Sequence, residues 1–241
     1  MTEARARIVL GATCYAEAHS ALRIGLRVAA RFSGELNAVL IEEEAVLAIA
    51  RRPGARIITP AGQRVSGIGA ESMAAAFLRD AERFERELAA AASSLPARWS
   101  FARRTGRMAA LLTEAALAGD VLVLGGAPLA RTSGDVVYLA GSHADPELEA
   151  IAQDLAADLH RPLKVILADE TAAAPETVVP REVIRPRDAE ALRRELARLA
   201  SDTILIANLA NVPPDMPEVS GPARFTRILR SNAPREDAAG D

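Results

Sequence analysis

Ser142, His143 and Asp145 are the side chains whose types most directly suggest catalysis, as a nucleophile, a base and an orienting acid. Their spacing argues otherwise, because adjacent residues do not easily give a Ser–His hydrogen bond with a separately buried acid behind it. Asp145 followed by Pro146 instead fits a helix N-cap with proline at the first helical position. Glu42, Glu43 and Glu44 would be a carboxylate cluster, but consecutive residues of an extended chain point to alternate faces and no His or Asp nearby completes a ligand set. They read as solvated charge at a strand end. His19, His143 and His160 are too scattered for a metal site. Cys14 is the only cysteine, which excludes an intramolecular disulfide and a cysteine-cluster metal site. A helix N-terminus would activate its thiol; a small, half-buried residue is the plainer reading. Gly67-x-Gly69 follows no strand and lacks the third glycine and the Lys-Ser/Thr of a phosphate loop. No catalytic constellation emerges.

The elements that position these residues follow from periodicity. Ile8–Ala12 and Leu36–Ile41 are apolar runs of strand length, and between them Ala16–Phe32 places Ala21, Gly25, Val28 and Phe32 on one helical face. Arg23, Arg27 and Arg31 fall on the opposite face, which reads as solvated. Ala45–Arg52 predicts a short helix, and the Pro- and Gly-rich stretch to Ser72 a surface excursion. Glu71–Ser94 is the clearest helix, with Met73, Phe77, Phe84 and Leu88 at helical spacing. Arg98–Arg103 alternates as a half-covered strand with Trp99 and Phe101 on one face, Arg107–Leu117 reads as a helix, and Val121–Leu124 is a fully apolar strand.

The second half begins again. Strand Asp135–Ala140, a helix bearing Leu148, Ile151, Leu155 and Leu159, strand Pro162–Ala168, an extended piece over Thr177–Ile184, helix Arg187–Ala200 and strand Asp202–Ala207 repeat the first order with its long middle helix deleted. Gly119-Asp120-Val-Leu-Val-Leu matches Ser201-Asp202-Thr-Ile-Leu-Ile. The reading is a degenerate internal duplication with parallel strands joined by right-handed crossovers. Residues 1–128 form a full unit, 129–210 a shortened one and 211–241 an irregular tail, in which Ala223–Arg230 would make an amphipathic turn or two around Phe225, Ile228 and Leu229.

Ile8–Ala12, the Ala-, Leu- and Arg-rich helix, the Gly34-Glu35-Leu36 step and the closing Ala118-Gly119-Asp120-Val-Leu-Val-Leu-Gly-Gly together resemble the universal stress protein family over roughly residues 6–128. The resemblance implies a doubly wound α/β fold of the adenine-nucleotide hydrolase-like kind, frequent dimerisation and, in one subgroup, ATP or AMP binding. On that resemblance the nucleotide would lie at Ala12, Thr13, Ile41, Gly125 and Gly126. The chain departs from the binding pattern. Thr13 stands where ATP-binding members carry an aspartate, and Pro128 replaces the second loop glycine, removing an N–H donor and fixing φ. In the second copy Asn208–Asn211 contains no glycine.

Composition narrows the partners. A formal charge of −3 favours neither nucleic acid nor an anionic membrane. No apolar run approaches the roughly 20 residues of a membrane span, and the N-terminus has no signal-peptide core, so a cytoplasmic protein is expected. The expectation is a non-enzymatic stress-response or regulatory protein with no cofactor, acting through an unidentified protein partner. The two units would pack as an intramolecular pseudo-dimer, with a homodimer open. The alternative is an ATP- or AMP-sensing version of the same fold.

Overall fold

Strand β1 (Arg7–Ala12) has five of its six residues buried, which is why it reads as a continuous apolar run. A computed structural model describes residues 7–32, 35–52, 56–58, 64–66, 69–93, 98–117, 120–126, 134–169, 172, 182–212 and 225–230. From β1 the chain passes through α1 (Tyr15–Phe32), β2 (Glu35–Glu43), α2 (Glu44–Ala50), the short strands β3 (Arg56–Ile58) and β4 (Arg64–Ser66), α3 (Ala70–Ala92), β5 (Trp99–Gly106), α4 (Met108–Leu117) and β6 (Val121–Leu124). It continues as β7 (Val136–Ala140), α5 (Pro146–Asp158), β8 (Leu163–Leu167), β9 (Glu182–Ile184), α6 (Ala189–Ala197), β10 (Ile204–Asn208), a single 3-10 turn (Leu209–Asn211) and β11 (Thr226–Arg230).

Nine strands make one open sheet in the order β5-β2-β1-β6-β11-β10-β7-β8-β9, with β3 and β4 paired separately. The α/β expectation holds, although the sheet is mixed: β11 runs antiparallel to β6 and every other neighbouring pair in the sheet is parallel. To one side of β11 the order is β5-β2-β1-β6; to the other, read inward from the edge, it is β9-β8-β7-β10, with the strand direction reversed.

Each sheet face is covered by its own helices. On one, Ala18, Ala21, Leu22, Ile24 and Val28 of α1, Ala81, Phe84 and Leu88 of α3, and Leu148, Ile151 and Leu155 of α5 pack on alternate strand residues such as Ile8, Leu10 and Ile206. On the other, Met108 and Leu111 of α4 and Leu192 and Leu196 of α6 cover Val9, Val39, Leu122 and Leu205. Helix α1 sits unusually close to β1: a Cβ on Gly25 would stand 2.2 Å from Leu10 Cδ2. Phe84 meets Phe101 of β5 edge-on with ring centroids 5.7 Å apart, a geometry favoured by the ring quadrupoles.

One expectation is extended and one corrected. The arginine row of α1 is exposed, as expected, and within it Arg31 pairs with Asp154 while Arg27 Nε lies 3.9 Å from Asp158 Oδ2, both on α5. Such half-exposed pairs contribute at most about 1 kcal/mol each, but they set α1 beside α5. The turn expected around Phe225, Ile228 and Leu229 is instead strand β11, and it lies at the centre of the sheet. Residues 226–230 are therefore not part of an irregular tail. Ile228 faces Val123 and Ile206 while Leu229 faces Leu122 and Ala207, so one short strand supplies apolar residues to both faces.

Candidate functional site

Ligands of open α/β sheets sit beyond the carboxyl ends of the strands, where the strand order reverses. Here that means between β1 and β6 and, where the strands end in the opposite direction, between β7 and β10. Ala12 and Thr13 close β1, Ile41 lies on β2, and Gly125 and Gly126 follow β6, so four of the five expected residues gather at the first of these points. Ala12 and Ile41 belong to the cores of opposite sheet faces, 0% and 3% exposed. Gly125 donates its N–H to Gly11 O at 3.0 Å, continuing the β1–β6 ladder. A Cβ at Gly125 would fall 2.0 Å from the Glu17 carbonyl oxygen, and one at Gly126 would fall 2.2 Å from the Phe225 carbonyl carbon. Both glycines are therefore closed in by backbone. Pro128 lies outside the described residues.

Three further donors are taken by carboxylates of the chain itself. Thr13 donates both its N–H (2.8 Å) and its Oγ1–H (2.7 Å) to Glu17 Oε2. Tyr15 N–H, in the first turn of α1, donates to Asp80 Oδ2 of α3 at 2.9 Å. These are the positions where the helix dipole and free amides would otherwise attract a phosphate. Arg227 of β11, 2% exposed, adds positive charge toward Glu17; burial pushes its guanidinium down to about 10, against the raising effect of that carboxylate. The sequence reading missed Glu17, Asp80 and Arg227, although an acid in the first turn after Thr13 was a visible signal.

Around this point α1 and α3 share a polar cluster. Tyr15 OH donates to Glu87, His19 Nδ1 lies 3.0 Å from the same carboxylate, and the Arg83 guanidinium sits 3.8 Å above the Tyr15 ring. Burial pushes the Glu87 carboxyl up, but hydrogen bonds from Tyr15 and His19 outweigh it and hold it below the ordinary range. Burial, and then the Glu17 charge, push the Cys14 thiol up, the opposite of an activated thiolate. Iodoacetamide is therefore expected to label Cys14 more slowly in the folded chain than in urea at pH 8.5, the two rates converging as pH rises. The same shift makes stability fall as pH climbs past the unfolded thiol's pKa, since the unfolded thiol ionises first.

The second reversal point is filled in a similar way. Asn211 donates Nδ2–H to His143 O (2.8 Å) and accepts from His143 N–H at Oδ1 (3.0 Å), while its side chain stands where a Cβ on Gly141 would be. Ser142 N–H donates to Asp169 Oδ2 at 3.2 Å. Asp145 accepts from Leu148 N–H (3.1 Å), as an N-cap should, and also faces Asn208 Nδ2 (3.4 Å) and Arg230 (3.3 Å). Ser142 Oγ is 3.3 Å from His143 Nδ1, yet Asp145 orients the helix and not the imidazole, so no triad forms. Strand β11 thus presents Arg227 toward the first point and Arg230 at the second.

The glutamate run is structural as well as solvated. Glu42 pairs with Arg103 at 3.0 Å, and Glu43 accepts the Met108 N–H at the start of α4 (3.2 Å). Among the described residues no three His, Cys, Asp or Glu side chains gather as a metal site, and no helix is long and apolar enough to cross a membrane. No protein-family model matches the chain, and no curated protein matches its sequence.

Proposed function

We propose that the chain is a universal-stress-protein-like tandem that acts as a non-enzymatic regulatory protein through protein contacts. The strand orders β5-β2-β1-β6 and β9-β8-β7-β10 support the internal duplication, with the second unit lacking the counterpart of α3. Reversed strand directions on the two sides of β11 support an intramolecular pseudo-dimer within one sheet.

The observation that carries the functional reading is the double use of Glu17 Oε2 by Thr13, at 2.8 and 2.7 Å. A carboxylate of the chain takes both Thr13 donors at the end of the first strand, and an anion arriving there would meet it at short range. The test is a thermal-shift and calorimetric titration with ATP and AMP, together with heat extraction of the purified protein to release any bound nucleotide. The expected outcome is no shift, no heat of binding and no stoichiometric nucleotide. Stoichiometric ATP or AMP would favour the nucleotide-sensing alternative, with ligand at Thr13, Gly125 and Gly126 after Glu17 moves aside.

A further inference from the structure

Strand β5 is the outermost strand of the sheet: its eight residues pair along their whole length with β2, and among the described residues no strand pairs with its other edge. At about 3.3 Å per residue this is a row of backbone donors and acceptors some 26 Å long. Natural edges of this length are usually shortened, bulged, broken by proline or covered. This one is paired along its whole length on one side, and its own charged residues are of a single sign. Residues 98–107 contain four arginines, Arg98, Arg103, Arg104 and Arg107, and no Asp or Glu.

The nearby carboxylates are already engaged. Glu42 holds Arg103 and accepts from Thr105 Oγ1 at 3.2 Å, and Glu114 of α4 holds Arg104 at 2.8 Å. Arg98 and Arg107, at the two ends of the strand, are exposed and have no carboxylate partner among the described residues. On the α4 face a groove of about 220 Å³ lies over β1, β2 and β5, lined in part by Arg7, Val9, Asn37, Ser100, Arg104 and Glu114.

We propose that the outer edge of β5 accepts an extended acidic segment of a partner protein by strand addition, with acidic side chains meeting Arg98 and Arg107. Main-chain hydrogen bonds supply affinity and alternate side chains supply specificity in this mode of recognition. The same arginines disfavour a second copy of the chain, because two such edges would set like charges opposite each other. The proposal rests on the reading of a protein acting through contacts, yet it fails separately. Peptide titration addresses this edge, whereas nucleotide titration addresses the strand ends.

Trp99, the single tryptophan, opens β5 and is 39% exposed, so its emission reports on the edge directly. The test titrates the full chain with a blocked peptide of four Glu-Val repeats, its Lys-Val counterpart, and the Glu-Val peptide with alternate backbone amides methylated. Expected are saturable binding and a blue shift of Trp99 emission with the first peptide alone. Affinity should weaken about tenfold when Arg98→Glu and Arg107→Glu are combined, a change of two exposed charges that leaves the circular dichroism unaltered. Equal binding of the methylated peptide would overturn strand addition, and no binding of the acidic peptide would overturn the site. An emission shift that grows with protein concentration in the absence of peptide would overturn the choice of occupant in favour of a second copy.

Discussion

Gly125→Ala is expected to destabilise the fold by about 3 kcal/mol, at or beyond the upper end of what an added methyl group usually costs in a packed interior. The added carbon would sit 2.0 Å from the Glu17 carbonyl oxygen and 2.5 Å from its carbonyl carbon. Those are backbone atoms of the first turn of α1, so no rotamer change relieves the overlap. Either the helix N-terminus or the β6 end must move, and both carry the Thr13–Glu17 contacts. Gly106→Ala is the control, because a Cβ there meets nothing within 4 Å. Its effect should stay within about 0.5 kcal/mol. Urea unfolding of the two variants against the parent chain checks both numbers, and comparable midpoints would contradict the packing described for the first strand end.

Arg7→Met is expected to cost about 3–5 kcal/mol, and more than Asp120→Asn, even though Arg7 is the more exposed partner. Arg7 Nε donates to Asp120 Oδ2 at 2.9 Å and its terminal nitrogen reaches the same oxygen. The arginine side chain is 37% exposed and the aspartate is fully buried. Removing the carboxylate leaves a cation that can turn to water, whereas removing the guanidinium leaves an anion held in the interior without its cation. The hydrogen bond to Asp120 also raises the arginine's pKa, so Arg7 stays a cation across the accessible range. Denaturant midpoints of the two single variants and the double variant measure the asymmetry and the coupling directly. Equal losses would mean that Asp120 finds compensation without Arg7.

Much of the fold was legible because its patterns are local. The α1 and α3 stripes, the apolar runs of β1, β2 and β6, and the Asp145-Pro146 helix start each follow from spacing within one element. Strand β11 was not legible. Thr-Arg-Ile-Leu-Arg carries an arginine near each end, which is unlike a central strand read alone. It fits because the sheet's two halves point in opposite directions. Arg227 therefore reaches one set of strand ends and Arg230 the other.

The candidate site was legible as a place but not in its contents. Thr13, Gly125 and Gly126 do converge, while the acceptor that takes Thr13's donors is four residues further on and Asp80 arrives from a separate helix. Asn211 closes the second point across 68 residues of sequence, a pairing that only the folded chain reveals. The partners of Arg27 and Arg31 on α5 are likewise invisible to a pattern confined to α1.

Isothermal titration of the full chain with ATP, repeated with Glu17→Ala, tests most directly whether the protein's own carboxylate closes the first strand end to an anion. The account predicts no binding heat for the parent chain and a measurable one for the variant, in which Thr13 N–H and Oγ1–H are released. Stoichiometric ATP binding by the parent chain, undiminished by the presence of Glu17, would contradict it.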